Sequence, residues 1–310
     1  MKTNAIIRII IWSLVLVLLV SILSSALLLR TRRLTSRPPV EATLPATIAS
    51  PEDGTGEMTR TEAISLDPRQ IREIDIEWAA GNITIQPAEV DSIQISEAAL
   101  SQPKYAMVWK QSGDKLTIRY SENIGLDFNF GITINDVVSK DLTILVPLGW
   151  ACDSLEVDAA SATLDVKNLA IREVDFDGAS GVCTFENCVI DQLDLDTASG
   201  DIYFTGTLET LDCDAASASV IAVFDNVPSR IDMDSMSGDL DITLPSGAGF
   251  TVTMDALSSD FVSDFGYSQR NGSYYRGDGK CKISMDAMSG DVYLREYKEA
   301  DAVSSAPTAP

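Results

Sequence analysis

The chain has 310 residues, with 23 Lys and Arg against 46 Asp and Glu and no histidine, so its formal net charge is −23 at pH 7. Residues 1–37 hold six basic residues and no acidic one, which leaves the remainder with a charge of −29. So acidic a chain repels phosphate backbones, which excludes nucleic-acid binding. Its length has room for one or two domains.

The first predicted element is a transmembrane helix over residues 6–29, after a short N-terminal segment of residues 1–5. The run is almost wholly apolar and exceeds the roughly 18 residues that indicate a membrane span. The alternative is a cleaved secretory signal, whose apolar core is shorter, about 7–15 residues. We therefore expect the run to be retained as a membrane anchor.

Residues 30–60 are rich in Pro, Thr and Ser, lack apolar periodicity and predict an extended stalk. The arginines after the helix favour, by charge counting alone, a cytoplasmic C-terminal side. Long domains cross membranes largely regardless of such charges, and a stalk is most useful on the outside. We expect a single-pass protein of the cell membrane whose repeat domain is extracellular.

Residues 61–150 are predicted to form a β-rich capping region. Apolar and polar residues alternate there in short segments, which is typical of strands; these are 71–78, 82–87, 92–98, 106–110, 115–120 and 141–147. Gly113 and Asp114 predict a hairpin turn. We expect Trp78, Trp109 and Trp150 to cover the open end of the domain that follows.

Residues 151–295 contain one unit seven times: an alternating strand, a corner that mostly reads Ser-Gly or Ser-Ala, and a second alternating strand. The units cover 155–166, 174–185, 193–204, 211–222, 231–242, 252–263 and 283–294. Their corner serines are 19, 19, 18, 20, 21 and 31 residues apart, and a weaker copy lies upstream at 74–85. Such a repeat is typical of a solenoid, in which stacked units bury the apolar side that one unit cannot.

The predicted fold class is therefore all-β, a single-stranded β-solenoid of stacked repeats preceded by one transmembrane helix. Equivalent strands would lie about 4.8 Å apart, so seven consecutive units would make a rod roughly 30–35 Å long. An antiparallel sandwich of seven hairpins shows the same alternation and is the alternative. Residues 296–310 are rich in Ala, Ser and Pro and are predicted to be disordered.

Within each unit, the residues six and four positions before the corner serine are apolar, and those five and three before it are mostly polar. Because side chains alternate along a strand, the first set is predicted to face the interior and the second the solvent. The residue three before the serine is aspartate in all seven units, which predicts an outward column of Asp158, Asp177, Asp196, Asp214, Asp234, Asp255 and Asp286.

Three interpretations of this aspartate column stay open. It can be a solvated face that keeps strands from pairing with other chains. It can bind calcium between neighbouring units, since this ion takes six to eight oxygen ligands, although no calcium-loop motif is present. It can also dock a basic partner, such as a basic peptide or a cell-wall amine.

Residues 265–280 lie in the last gap between repeats and are the least repetitive stretch of the domain. They form either an irregular loop or a contact with a partner, because Tyr and Arg are frequent in binding hot spots. The candidate contact residues are Tyr267, Arg270, Tyr274, Tyr275 and Arg276.

The five cysteines are odd in number and lack the spacing of a metal site. The alternation places Cys183 and Cys213 in the interior, where we expect them to pack as small apolar side chains. Cys183 and Cys188 flank one strand and would pair only if the chain folded back. Free thiols are more usual in reducing compartments, which tempers the extracellular assignment.

The chain resembles a family of bacterial membrane-associated β-strand-repeat proteins with an adhesin-like domain of unknown function. The resemblance covers about residues 70–295 and lies in the segment IREIDIEWAAGNITI, the strand DLTILVPLG, the recurring ASGDI and MSGDV corners and the closing stretch YYRGDGKCKISMDAMSGDVYL. It implies a β-solenoid-like fold, often behind a membrane segment, and no established catalytic activity. Some relatives lie beside envelope-stress regulators.

These observations predict a non-enzymatic, membrane-anchored protein of the cell envelope whose adhesin-like repeats bind or sense at the cell surface without a cofactor. The first alternative is a membrane-tethered cytoplasmic scaffold that regulates an envelope-stress system. The second is a polysaccharide-active enzyme, since stacked strands can pair carboxylates as acid and base. Uniform aspartate columns, with neither a histidine nor a G-x-S-x-G motif, argue against the enzyme. The sequence identifies no protein or cell-wall partner.

Overall fold

The computed structural model describes residues 59–60, 63–98, 106–121 and 138–297. The predicted anchor at 6–29, nearly all of the predicted stalk and most of the predicted tail lie outside these ranges. Within them every regular element is a β-strand, and no described segment is a helix that could span a bilayer.

The described residues form twenty strands, which confirms the all-β prediction. In chain order the strands are β1 (Thr59–Arg60), β2 (Ala63–Leu66), β3 (Glu73–Ala88), β4 (Ile93–Glu97), β5 (Val108–Ser112), β6 (Lys115–Arg119), β7 (Leu142–Pro147), β8 (Ala151–Lys167), β9 (Ala170–Gly178), β10 (Cys183–Ser199), β11 (Ile202–Ser217), β12 (Val220–Phe224), β13 (Arg230–Ser237), β14 (Leu240–Pro245), β15 (Phe250–Ser258), β16 (Phe261–Ser263), β17 (Ser268–Arg270), β18 (Ser273–Arg276), β19 (Cys281–Ser289) and β20 (Val292–Tyr297).

The strands build two sheets that are continuous through the corners and share one hydrophobic core. The first sheet holds the strands before each corner, in the order β1-β5-β6-β3-β8-β9-β10-β11-β13-β19-β15-β18-β17. The second sheet holds the strands after each corner, in the order β2-β4-β7-β3-β8-β10-β11-β12-β14-β20-β16. Strands of neighbouring repeats are parallel and in register. The architecture is therefore a β-solenoid with two strands in each layer.

The predicted alternation decides which side chains fill the core. Leu155, Val174 and Leu193 hold equivalent positions in three successive layers, and each is at most 1% exposed. Phe185 and Phe204 stack across the second sheet with ring centroids 6.5 Å apart. Burying one such side chain contributes roughly 1.5–3 kcal/mol, so the interior columns supply the main stabilisation of the repeats.

The last two repeats are stacked in reversed order. The strand β13 pairs with β19, of the repeat at 283–294, and β19 pairs in turn with β15, of the repeat at 252–263. The expectation that consecutive units lie directly over one another is therefore wrong here. The reason is the hairpin β17–β18 in the 31-residue gap between the two corner serines, because it pairs antiparallel with one edge of β15 and leaves only the other edge for β19.

The weaker upstream copy at 74–85 belongs to the same stack. As part of β3 it pairs in register with β8, the first repeat. A further layer below it consists of β6 and β7, and the turn at Gly113 joins β5 to β6 as predicted. The described residues thus form nine layers, about 38 Å from first to last at 4.8 Å per step.

Antiparallel strands close the first end of the solenoid. The strands β5 and β4 cover β6 and β7, and β2 covers β4. Trp78, in β3, is completely buried, and Trp109, in the covering strand β5, is 7% exposed. Trp150 is half-buried, and its Nε1 donates a hydrogen bond to the Pro68 carbonyl at 3.1 Å.

A buried ammonium group fills the interior at this end. The side chain of Lys140 is fully buried, forms an ion pair with buried Glu97 and lies 4.5 Å and 4.3 Å from the ring centroids of Trp78 and Tyr120. Its Nζ also donates to the Tyr120 carbonyl at 2.6 Å. Breaking such a pair leaves an uncompensated buried charge, which costs about 3–5 kcal/mol. The cluster therefore fixes the capping region to the first layers.

Glycines at the corners allow the layers to approach closely. Gly200 has a φ of +140°, and a Cβ there would lie 1.7 Å from the carbonyl oxygen of Gly181 in the next layer. Gly238 has the same conformation, with a Cβ 1.7 Å from the Ala218 carbonyl oxygen. The recurring Ser-Gly pattern is therefore a backbone requirement of these corners.

Replacing Gly200 by Ala is expected to lower the free energy of unfolding by about 2–3 kcal/mol, because the added methyl group meets a carbonyl and the backbone is strained. For a protein of this size the melting temperature should fall by about 5–10 °C. The matched control is Gly266→Ala, where nothing lies within 4 Å of the added Cβ. Equal melting temperatures of the two variants would contradict this account of the corners.

Candidate functional site

The outer side of the first sheet carries a continuous column of carboxylates. In stacking order it consists of Glu77, Asp158, Asp177, Asp196, Asp214, Asp234, Asp286 and Asp255, each in register with the next. All eight residues are exposed or half-buried, so the predicted aspartate column faces outward. The structure extends it to Glu77, and the signal in the sequence was the place of this residue in the weaker copy at 74–85.

A second column of carboxylates runs beside the first, two residues earlier in each strand. It consists of Asp75, Glu156, Asp175, Asp194, Asp212 and Asp232, again in register from layer to layer. We call the two columns together the acidic face. A shallow groove crosses it between Gln192 and Arg230.

Partial burial and mutual repulsion raise pKa values on the acidic face. Burial, and after it the charge of Asp177, raises the pKa of Asp158 to about 7. Burial, and after it the charge of Asp214, raises the pKa of Asp196 to about 6. The pKa of Asp175 is raised too, again mainly by burial. The folded protein thus favours the neutral form of these groups, and negative charge on them is unfavourable at neutral pH.

Cations neutralise only part of the acidic face. Three of them form ion pairs there: Lys115 with Asp75 at 2.9 Å and Glu156 at 3.1 Å, Arg119 with Glu77 at 2.7 Å, and Arg230 with Asp232. The carboxylates between these positions differ. Within the described ranges, neither Lys nor Arg forms an ion pair with Asp175, Asp177, Asp194 or Asp196. The middle of the face is therefore a stretch of stacked, unneutralised carboxylates.

The calcium sites predicted from the sequence would lie between neighbouring carboxylates of the same aspartate column. In the part of the chain that the structure describes, no group of three or more Asp, Glu or Cys side chains is arranged to hold a metal ion. Each layer contributes one carboxylate to a column, and six to eight oxygens around one ion require more than that. Calcium binding stays a prediction.

Residues 265–280 are not an irregular loop, because most of them form the hairpin β17–β18. Tyr274 packs against Phe261 with ring centroids 4.2 Å apart, and Arg276 lies 4.5 Å from the ring of Phe265 and donates to the Ala248 carbonyl. These two candidate contact residues therefore hold the hairpin on the end of the core. The other three, Tyr267, Arg270 and Tyr275, are exposed.

All five cysteines are free and buried, including Cys183 and Cys213 in the interior as predicted. Cys183 and Cys188, the pair considered above, are not joined. Burial raises the pKa of the Cys152, Cys213 and Cys281 thiols to about 12. At neutral pH these thiols are protonated and inert, so they act as packing groups rather than nucleophiles.

The sequence matches the model of one protein family, Toastrack DUF4097, over residues 71–207 and 149–295. Together the two matches span all of the repeats and most of the capping region, well over half of the chain. No curated protein matches the sequence.

Several solved structures align with most of this chain at low similarity. A "putative adhesin" from Bacteroides fragilis is 12% identical with a TM-score of 0.41, over 78% of this chain and 98% of that one. A "putative cell adhesion protein" from Clostridium sporogenes is 11% identical with a TM-score of 0.33, over 78% of this chain and 100% of that one. A "putative lipid binding protein" from Parabacteroides distasonis is 11% identical with a TM-score of 0.27, over 80% and 99%. Similarity this low carries no inference about ligands.

Replacing Asp158 by Asn is expected to stabilise the protein increasingly as pH rises. In the wild type the folded state keeps a proton between about pH 4 and pH 7 that the unfolded state has lost, so the free energy of unfolding falls across this window. The variant has no such loss and no repulsion from Asp177. It should gain about 1 kcal/mol at pH 8 and nothing at pH 4, as measured by urea unfolding at several pH values.

The control variant, Asp153→Asn, is expected to change the free energy of unfolding in the opposite direction. The hydrogen bond from Arg72 lowers the pKa of Asp153, so Asp153→Asn should lose stability at pH 8 and approach the wild type below pH 4. A gain for Asp158→Asn that is independent of pH would show that the unfavourable charge on Asp158 is not its cause.

Proposed function

Because the chain belongs to the Toastrack DUF4097 family, we propose that it is a non-enzymatic, adhesin-like binding protein of the cell envelope. In this proposal residues 6–29 anchor it in the membrane and residues 30–60 hold the solenoid outside the cell. The acidic face binds a partner that presents several positive charges, such as a basic peptide segment or cell-wall amines.

The observation that carries this proposal is the middle of the acidic face. Adjacent carboxylates about 4.8 Å apart repel by roughly 0.9 kcal/mol even at the dielectric constant of water. Asp177 and Asp196 have no cationic partner among the described side chains, and the pKa of each is raised. A partner with regularly spaced cations relieves this repulsion along several layers at once, so binding and the stability of the solenoid support each other.

The chemistry of the described side chains supports a role without catalysis. The carboxylates form uniform columns and not one isolated pair, and the chain has no histidine to act as a base. The cysteine thiols are buried and have raised pKa values, which makes them poor nucleophiles.

The five free cysteines also favour a second candidate function, a membrane-tethered scaffold in the cytoplasm that regulates an envelope-stress system. Proteins of reducing compartments keep their thiols free, and none of these cysteines forms a disulfide. Burial explains the free thiols equally well, because a buried cysteine packs as a small apolar residue in either compartment.

Binding is tested with oligolysine and the full-length chain in detergent, by isothermal titration calorimetry. We expect saturable binding that weakens as salt is raised from 50 to 300 mM. The triple variant Asp177→Asn, Asp196→Asn, Asp214→Asn should lose at least tenfold in affinity, because it removes the centre of the charged column.

The control for that titration is Asp201→Asn, Asp239→Asn, Asp291→Asn, which removes the same charge from the corners instead of the acidic face. Its affinity should fall less than threefold. Equal losses in the two triple variants would show a response to net charge alone and would contradict a binding face.

The side of the membrane on which the solenoid lies is tested with an added cysteine, because the native thiols are buried. Leu148 is 67% exposed in the turn after β7, so Leu148→Cys supplies one accessible thiol. We expect a membrane-impermeant maleimide to label this variant on intact cells and to leave the wild type unlabelled. Labelling only after lysis would contradict the extracellular arrangement and favour the cytoplasmic scaffold.

A further inference from the structure

The second sheet ends in an open strand edge. Its last strand, β16, pairs with β20 on one side, and in the described part of the chain no strand pairs with its other side. The first sheet ends differently, because β18 and β17 continue it beyond β15. The first sheet therefore extends two strands beyond the last layer, whereas the second sheet ends at the layer itself.

The backbone groups of β16 show which residues form this edge. The Asp264 N–H donates to the Leu294 carbonyl at 2.9 Å, and the Val292 N–H donates to the Asp260 carbonyl at 3.0 Å. Backbone groups alternate in direction along a strand, so Phe261 and Ser263 point their N–H and C=O groups away from β20. An edge of this kind is a template for another strand.

Exposed apolar side chains lie on the last two layers and on the segment that follows β16. Leu257 is 84% exposed, Val262 51%, Tyr267 45% and Met288 38%. We call these four residues the terminal patch. Leu257 and Met288 hold the position before the corner serine that is alanine in the first four repeats. Packing of the corner therefore does not require large apolar side chains there, and their presence points to contact with something else.

The charge around the terminal patch limits what can cover it. Asp255, Asp260 and Asp264 are exposed on the same terminal layer. Within the described ranges none of the three forms an ion pair with Lys or Arg. A second copy would bring the same three carboxylates and a net charge of −23 to the contact. Anionic lipid is disfavoured because its headgroups would meet the same three carboxylates. A basic segment, by contrast, complements their charge.

We propose that an extended, basic segment of another protein binds here by adding a strand to the open edge of β16. Its backbone pairs with Phe261 and Ser263. Asp260, Val262 and Asp264 share the outward face of this edge, so its Lys or Arg side chains face the two aspartates and an apolar side chain between them faces Val262. Backbone hydrogen bonds give affinity in this mode of recognition, and the alternating side chains give specificity. The site lies at the end of the solenoid and does not depend on binding at the acidic face.

The probe is the fluorescein-labelled peptide Lys-Val-Val-Val-Lys-Val-Val-Val-Lys, called the Lys–Val peptide, in which Lys and Val alternate along one face of the extended chain. It is titrated with the full-length chain in detergent and followed by fluorescence anisotropy. We expect one saturable site. The same peptide with an N-methyl group on every residue should bind at least tenfold more weakly, because it has no backbone N–H left to donate to the edge. A peptide with Glu in place of Lys should not bind.

Two pairs of variants locate the site. Leu257→Asn and Val262→Asn should each weaken binding of the Lys–Val peptide at least fivefold. Their controls are Leu148→Asn and Val189→Asn, which alter side chains of similar exposure, 67% and 50%, elsewhere on the surface. All four side chains are exposed, so the variants should melt within a few degrees of the wild type.

Three results would overturn the proposal: equal binding of the N-methylated peptide, unchanged affinity of both patch variants, or loss of peptide binding only in the acidic-face triple variant. The last result would leave binding at the acidic face standing and remove the edge site alone. Self-association of the chain that Leu257→Asn abolishes, or binding to phosphatidylcholine vesicles in place of the peptide, would also contradict it, because the occupant would then be a second copy or a membrane.

Discussion

Pairing of successive layers about 4.8 Å apart and in register is the constraint on which the rest of the structure depends. It converts every residue that recurs at one position of the repeat into a column. Apolar positions such as Leu155, Val174 and Leu193 become a continuous interior. The same spacing brings Gly200 against the Gly181 carbonyl, so the corners must be small.

The register that fills the interior also creates the acidic face. Asp158, Asp177 and Asp196 follow one another because their strands are parallel and in register. Their repulsion of roughly 0.9 kcal/mol per pair is smaller than the 1.5–3 kcal/mol that each buried aliphatic side chain contributes, so the fold tolerates it. An outer face with opposite charges on neighbouring strands would also be polar, and it would stabilise the sheet instead of straining it. The aspartate column lowers the stability of the fold, and this loss of stability is the reason that we propose a binding role for it.

A stack of parallel layers has no end of its own, and the two ends of this solenoid are closed by different means. At the first end antiparallel strands cover the sheets, and Lys140 lies between Trp78, Tyr120 and Glu97 inside. At the other end the hairpin β17–β18 covers one sheet and forces the last two repeats into reversed order. The edge of β16 stays open, with the terminal patch beside it.

The sequence by itself determined the strand alternation, the interior and exterior columns and the small corners, because these follow from a local period of two and a repeat of about 19 residues. It predicted that Asp158 and Asp177 stack, since both hold one position of that repeat. Only the tertiary structure decided the order of the last two repeats, the pairing of Glu97 with Lys140 and the open edge at Phe261. Each of these depends on contacts between residues distant in the chain, for which no local pattern carries a signal: Glu97 and Lys140 are 43 residues apart, and β15 accepts β19 only because the hairpin β17–β18 occupies its other edge.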